Sequence, residues 1–358
     1  MKIMMVITGM CTGGAERVMA TLCNDLSQRH QVRLVCMRQE DSDYPLAHAV
    51  EFVKGNIADR SASKAVRFVK SQMEAWQPEV VLSFMTKSNV VTMAASLMAR
   101  HKAPVIVAER ANPYVSAKAM KISRRFLYPF ASGAVFQTKQ AQDYYKRIVK
   151  CPAVILKNPL NPDFKAEPYQ GQRRKAIVTM GRLSEEKNQK LLIDAFCRIA
   201  DDYPEYSVEI YGDGPDRAAL AQRIAQTGMT KRILLMGRKS QVQEYIRDAE
   251  IFVLTSNAEG MPNALLEAMA MGLVSISTDC PIGGPAVVIK QDENGILIPM
   301  NGTAALENAL RKAIEDRAFA QRLSQNAVKV LQEYDTETVC AQWEAYILSV
   351  IKRAGDAK

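Results

Sequence analysis

Ser256-Asn257-Ala258-Glu259-Gly260-Met261-Pro262-Asn263-Ala264-Leu265-Leu266-Glu267 follows directly on the apolar run at 251–254. An apolar run, a polar loop and a proline before a mainly apolar segment read as strand, loop and helix. Proline suits the first turn of a helix, where its missing N–H is not needed, so the chain is predicted helical from Asn263. The N–H groups at such a helix start favour an anion. Glu259 falls in the loop. Glu267 lies roughly a turn inside the helix, given a rise of about 1.5 Å per residue. It also interrupts the otherwise apolar run at 264–270.

The same alternation runs outward in both directions. A further strand is predicted at 274–277. Upstream come strands at 176–180, 207–211 and 232–235, with helices at 189–200, 215–225 and 240–247 between them. Continuous apolar strands between amphipathic helices predict a parallel sheet covered on both faces. Residues 157–162 are rich in Pro and Asn, and 168–175 are polar and basic, so together they read as a linker. Before it lies a first array, with strands at 2–7, 32–37, 80–84, 105–108 and 133–136 and helices at 16–29, 62–76 and 89–99. The fold class is therefore α/β, with two doubly wound domains at 1–163 and 172–335 and a terminal helix within 336–358. Doubly wound sheets bind ligands at the carboxyl ends of their strands, and two such domains facing each other make a cleft.

Of the 358 residues, 48% are hydrophobic and 24% charged, which excludes a mainly disordered, collagen-like or coiled-coil chain. The balance of 47 Lys and Arg against 38 Asp and Glu leaves +9 and predicts an anionic partner. The 7 cysteines are scattered and only 3 histidines occur, so neither a zinc site nor a disulfide framework is expected. Buried free thiols in a reducing cytoplasm are the simpler expectation. No run reaches the ~20 apolar residues of a membrane span. Residues 1–8 are too short for a signal-peptide core and read as a buried first strand.

Two glycine-bearing turns stand out. Gly13-Gly14 sits between the first strand and the first helix, where paired glycines let the backbone approach a ligand closely. The turn is not G-x-G-x-x-G, which argues against a nicotinamide cofactor. Gly181-Arg182-Leu183-Ser184-Glu185-Glu186-Lys187-Asn188 follows the first strand of the second array. Arg182 offers a planar fork and Lys187 a point charge, the donor pair a diphosphate needs; a solvated basic loop is the plainer alternative. A carboxylate at Glu267 can accept both hydroxyls of a ribose. Asp41-Ser42-Asp43 reads as a solvated turn, and Asp213 and Asp216 as turn and cap residues.

Taken in order, Gly13-Gly14-Ala15-Glu16-Arg17, Gly181-Arg182 with Lys187, Gly212-Asp213-Gly214-Pro215, Gly237 and the Glu259-to-Glu267 pattern, E-x7-E, carry a resemblance. The chain resembles a family 4 retaining glycosyltransferase of the GT-B fold over essentially its whole length. It is similar to bacterial transferases of surface-polysaccharide and lipid-linked-oligosaccharide assembly. The resemblance implies that the first domain binds the acceptor and the second a nucleotide-activated sugar, usually UDP-linked. It implies that Arg182 and Lys187 hold the donor diphosphate, Glu267 the ribose, and Glu259 the donor sugar. The loop at Gly237-Arg238 would frame the base, and Gly260, Met261, Pro262, Asn263 and Ala264 would line the donor between the glutamates. Gly13 and Gly14 would close over the phosphates. The terminal helix would cross back onto the first domain. No metal or other cofactor is implied. Arg110 stands where many members carry a histidine, and since arginine cannot serve as a base, hydrogen bonding or charge is left to it. Ala286 stands where many relatives have an acid.

Lys118, Lys121 and Arg125 are spaced i, i+3, i+7 with Arg124 beside them, and Ala119, Ile122, Phe126 and Phe130 fall toward the other side. This predicts an amphipathic helix whose cationic ridge holds a lipid pyrophosphate or an anionic membrane leaflet. Aromatic interleaving typical of nucleic-acid readers is missing, so no nucleic acid is expected. The expected function is transfer of a hexose or N-acetylhexosamine from a UDP-sugar to a polyprenyl-diphosphate-linked or polysaccharide acceptor. N-acetylgalactosamine and galactose come first. The enzyme would be cytoplasmic and peripheral on the inner face of the cell membrane. The rivals are a UDP-sugar epimerase or phosphorylase on the same fold and a non-enzymatic two-lobe sugar-binding protein.

Overall fold

The apolar runs pair as the alternation predicts, into two parallel sheets that belong to separate units of the chain. The structure, a computed structural model, describes residues 1–11, 13–57, 61–165 and 169–356. Thr12 of the glycine turn and Pro168 of the linker lie outside the described residues. One unit is Met1–Pro159 with Thr336–Lys358, and the other is Leu160–Asp335.

The first unit runs β1 (Lys2–Ile7), α1 (Gly14–Leu26), β2 (Gln31–Cys36), β3 (Val50–Lys54), α2 (Ala62–Trp76), β4 (Val80–Phe84), α3 (Thr86–Met98), β5 (Val105–Ala108), α4 (Lys118–Leu127), β6 (Gly133–Phe136), α5 (Lys139–Tyr145) and β7 (Ala153–Ile155). Its strands form a 7-stranded sheet in the order β3-β2-β1-β4-β5-β6-β7. The order reverses between β1 and β4. Every residue of β4, β5 and β6 is buried, which explains why these strands show no polar alternation. The two edge strands, β3 and β7, escaped the sequence reading. β3 exposes Glu51 and Lys54, and β7 has only 3 residues.

The second unit runs β8 (Arg174–Met180), α6 (Gln189–Ile199), β9 (Ser207–Tyr211), α7 (Arg217–Thr227), β10 (Ile233–Gly237), α8 (Val242–Ile246), β11 (Ala249–Leu254), α9 (Asn263–Ala270), β12 (Val274–Thr278), α10 (Gly284–Val288), β13 (Ile296–Ile298), α11 (Thr303–Glu315), α12 (Arg317–Ala327) and α13 (Val330–Glu333). Its 6-stranded sheet has the order β10-β9-β8-β11-β12-β13, reversing between β8 and β11. The first unit stops at Pro159 rather than at 163. Leu160 and Phe164 are buried in the second core, and the Leu160 N–H donates to the Tyr334 carbonyl.

The terminal helix, α14 (Thr336–Asp356), packs on α1 in the first unit. Trp343 is fully buried, its ring 5.4 Å from Phe84 and its indole N–H donating to the Lys157 carbonyl. Glu344 pairs with both Arg29 and His30. Among the described residues no helix is long and apolar enough to cross a membrane. All 7 cysteines are free, but Cys11 is exposed, against the expectation of burial throughout.

Candidate functional site

In a doubly wound sheet the loops on either side of a strand-order reversal part and open a crevice at the carboxyl ends of the strands. In the second unit those loops are residues 181–188 after β8 and 255–262 after β11. They carry the two stretches singled out in the sequence. Lys187 and Glu259 meet there, Nζ 2.5 Å from Oε1. Ser256 Oγ donates to the same Glu259 oxygen at 2.6 Å. Burial pulls the Lys187 ammonium down, and the charge and hydrogen bond of Glu259 more than offset that, so Lys187 titrates above its ordinary value.

Glu267 lies on α9 and is 3% exposed. The helix begins at Asn263, with Pro262 at the cap position and Gly260, Met261 and Pro262 leading into it. Ala264 follows in the first turn. Arg182 is exposed, and its guanidinium makes no hydrogen bond or ion pair among the described residues. Arg238 follows the end of β10, which is separated from β8 by β9, so its backbone leaves the sheet about two strand spacings, ~10 Å, from that of the 181–188 loop.

Gly212 and Gly284 let neighbouring chain segments pack close against these loops. A Cβ at Gly212 would stand 1.8 Å from the Gly181 carbonyl oxygen, and one at Gly284 would stand 1.7 Å from that of Gly260. Side chains are sterically excluded at both.

The first unit offers a second cluster at its own strand-order reversal. Gly13 caps α1, and Tyr44 fastens it. The Tyr44 hydroxyl accepts from the Gly13 N–H at 3.0 Å and donates to the Gly13 carbonyl at 2.9 Å. Gly14 opens the helix. Arg110, after β5, lies over the Phe84 ring at 4.7 Å and donates to Asn158, which also accepts from Gln137. Burial draws the Arg110 guanidinium down to about 9, while the Glu16 charge opposes that. Arg110 stays cationic at neutral pH. Its neighbour Glu109 is buried and accepts from Thr86, Asn89 and Tyr128. Burial raises the Glu109 carboxyl, against the pull of those donors.

The ridge on α4 needs correction. Lys118, Lys121 and Arg125 are exposed, but Arg124 is 1% exposed. Its guanidinium donates to the Tyr145 hydroxyl and the Pro113 carbonyl. Arg124 therefore anchors the helix and does not face a partner. The apolar side is reversed too. Ile122, Phe126 and Phe130 are 49%, 69% and 62% exposed, while Met120, Arg124 and Leu127 turn inward.

A family model described as Glycosyltransferase Family 4 matches residues 12–164, and one described as glycosyl transferases group 1 matches residues 162–330. The chain is a glycosyltransferase with a family 4 domain followed by a group 1 domain. It is 26% identical, over 98% of its length and 99% of the relative's, to the GalNAc-alpha-(1->4)-GalNAc-alpha-(1->3)-diNAcBac-PP-undecaprenol alpha-1,4-N-acetyl-D-galactosaminyltransferase of Campylobacter jejuni. It is 23% identical to the amylovoran biosynthesis glycosyltransferase AmsD of Erwinia amylovora, over 96% and 98% of the two chains. Among solved structures, Anabaena HepE in complex with UDP and glucose superposes with a TM-score of 0.80 at 19% identity, covering 98% of this chain and 100% of that one. The apo form of the lipopolysaccharide outer core galactosyltransferase WaaB gives 0.73 at 19%, covering 98% and 99%. These likenesses show the GT-B fold for the two parallel-sheet units of this glycosyltransferase. Sequence reasoning missed Tyr44, Ser256 and Asn257, which hold the loops of the glycosyltransferase in place. Ser256 and Asn257 lie inside the opening stretch, and their position just before Glu259 was the available signal.

Proposed function

We propose that this glycosyltransferase moves a hexose or N-acetylhexosamine from a UDP-sugar to a polyprenyl-diphosphate-linked glycan, with retention and without a metal. The observation that carries the reading is the Lys187–Glu259 pair, with Arg182 on the same loop and Glu267 on the following helix, at the strand reversal of the second unit. Lys187 and Arg182 hold the diphosphate, Glu267 the ribose hydroxyls and Glu259 the donor sugar. The bond between the anomeric carbon and the diphosphate oxygen breaks, and its electron pair stays on the diphosphate. The acceptor oxygen bonds the anomeric carbon from the same face and gives its proton to the departing phosphate oxygen. Fixed cations at the diphosphate stabilise that developing charge more than they stabilise the bound donor. The UDP held by HepE and the undecaprenol-linked substrate named for the Campylobacter relative support donor and acceptor class.

Lys118, Lys121 and Arg125 beside exposed Ile122, Phe126 and Phe130 give α4 the mixed character of a helix that lies in a membrane surface. The reading is peripheral attachment to an anionic leaflet from the cytoplasm. Within the second unit, the Gly237-Arg238 loop after β10 frames the base. Screening UDP-sugars for transfer to a polyprenyl-diphosphate-linked acceptor, with UDP-N-acetylgalactosamine and UDP-galactose first, tests the function. Label in the lipid product supports it, and no transfer from any UDP-sugar contradicts it.

A further inference from the structure

The side chains proposed to touch the donor sit on loops that have left their sheet. Strands β8 and β11 pair in parallel through Ile251 with Ile177 and Phe252 with Val178. Beyond the strands, no ladder holds residues 181–188 against residues 255–262. A cation serves a developing charge only when it is held within about 0.5 Å of its working position.

Asn257 supplies what the ladder does not. Its backbone N–H donates to the Glu186 carbonyl at 2.7 Å, and its side-chain Nδ2 donates to the Glu185 carbonyl at 3.0 Å. Its Oδ1 accepts from Asn188 Nδ2 at 3.3 Å. Two residues earlier in the same segment, Thr255 Oγ1 donates to the Lys187 carbonyl at 2.9 Å. Three consecutive carbonyls, at 185, 186 and 187, are thus tied to a single stretch of the neighbouring loop. Asn188 sits at φ +47, a left-handed conformation that asparagine tolerates better than most residues. Asn188 Nδ2 donates to Asn257 and to Asn301, and Asn188 starts α6 without a side-chain cap bond. Ser256, between Thr255 and Asn257, fixes the Glu259 oxygen that Lys187 also binds.

We infer that Asn257 is a positioning residue for Lys187: it sets where the Lys187 ammonium stands toward a bound nucleotide diphosphate. The inference rests on the donor-site reading of the second unit. Asn257 touches no substrate and acts only through the lysine. An alanine at 257 would keep the backbone bond to Glu186 but lose both side-chain bonds. The 185–188 turn would then be tied to the 255–262 loop backbone only through Thr255 and one N–H, and the lysine would wander.

The test is a double-mutant cycle read by calorimetric titration, with UDP as the probe and uridine, which has no diphosphate, as the control. Lys187→Ala should weaken UDP by roughly 10²-fold and Asn257→Ala by roughly tenfold, as for displaced or lost charge contacts. The double variant should match Lys187→Ala, since residues that act through one another are not additive. Uridine affinity should be unchanged in all three, which a general loosening of the site would not leave intact. Arg182→Ala combined with Asn257→Ala should instead multiply. Asn257→Leu, uncharged and of similar size but without hydrogen-bonding atoms, repeats the cycle should the alanine variant fold poorly, and the same pattern is expected. If Lys187→Ala weakens UDP and the double variant falls by the product of the two factors, or Asn257→Ala binds UDP normally, the positioning role is overturned alone. If Lys187→Ala itself binds UDP normally, the donor reading beneath it falls as well.

Discussion

Lys187 Nζ stands 2.5 Å from Glu259 Oε1, across two loops that leave neighbouring parallel strands of the second unit. The pair joins the cation proposed for the diphosphate to the carboxylate proposed for the sugar. Its consequences are measurable on both sides.

Removing the cations should slow the reaction without unfolding the chain. Lys187→Ala and Arg182→Ala are each expected to cut turnover by roughly 10²–10³-fold, the usual loss for one electrostatic donor at a developing charge. Initial-rate measurements with the preferred UDP-sugar check this, and normal turnover in either variant removes its role.

The pair should also set a pH limit. Burial lowers Lys187 and Glu259 more than restores it, so in the folded chain the ammonium persists above its ordinary 10.5. A raised lysine is fully charged below its ordinary value and is lost only as pH rises through the folded one. UDP affinity in the native chain should therefore hold into the alkaline range. In Glu259→Gln the burial remains without the compensating charge, and the fall in affinity should begin at lower pH. Coincident profiles would contradict the coupling.

The membrane reading separates two kinds of arginine on α4. Changing Lys118, Lys121 and Arg125 together to Ala should weaken binding to anionic vesicles strongly, at about 1 kcal/mol per surface cation, while UDP binding stays intact. Arg124→Ala should instead lower stability by about 1–3 kcal/mol, because it leaves the buried Tyr145 hydroxyl and Pro113 carbonyl without their donor. Vesicle flotation and thermal melting distinguish them. Vesicle binding unchanged in the triple variant would show the ridge to be solvated surface.

The terminal helix should loosen in acid. The hydrogen bond from Arg29 holds the Glu344 carboxyl below its ordinary 4.5, against partial burial, with His30 adding to the pull. A depressed carboxyl contributes stability above its ordinary value and loses it as pH falls through the folded value. The stability gap between the native chain and Glu344→Gln should be full above the ordinary 4.5 and close only as pH falls through the lower value Glu344 has in the folded chain. A gap that is constant with pH would exclude this ion pair as its source.

The second unit was legible because its chemistry sits where glycine and proline punctuate the chain. Pro262 marks the start of α9 to the residue, and Glu259 and Glu267 then fall on either side of it. The edge strands were not legible, since β3 and β7 bury too little to show a pattern. On α4 the helical period was read correctly and its facing wrongly. Met120, Arg124 and Leu127 share the inward stripe, and a charge at its centre disguised it. Arg124 is tolerated there because the Tyr144 and Tyr145 rings and two acceptors receive it. The bonds from Asn257 to residues 185, 186 and 188 span about 70 positions of sequence, and nothing local to either loop announces them.

Titration of the chain and of its Glu267→Ala variant with UDP decides whether α9 holds the nucleotide. The account predicts binding in the micromolar range by the native chain, weakened at least tenfold in Glu267→Ala as the ribose loses its acceptor, a charged hydrogen bond worth about 1.5–3 kcal/mol. No UDP binding by the native chain, or equal binding by the two, would contradict it.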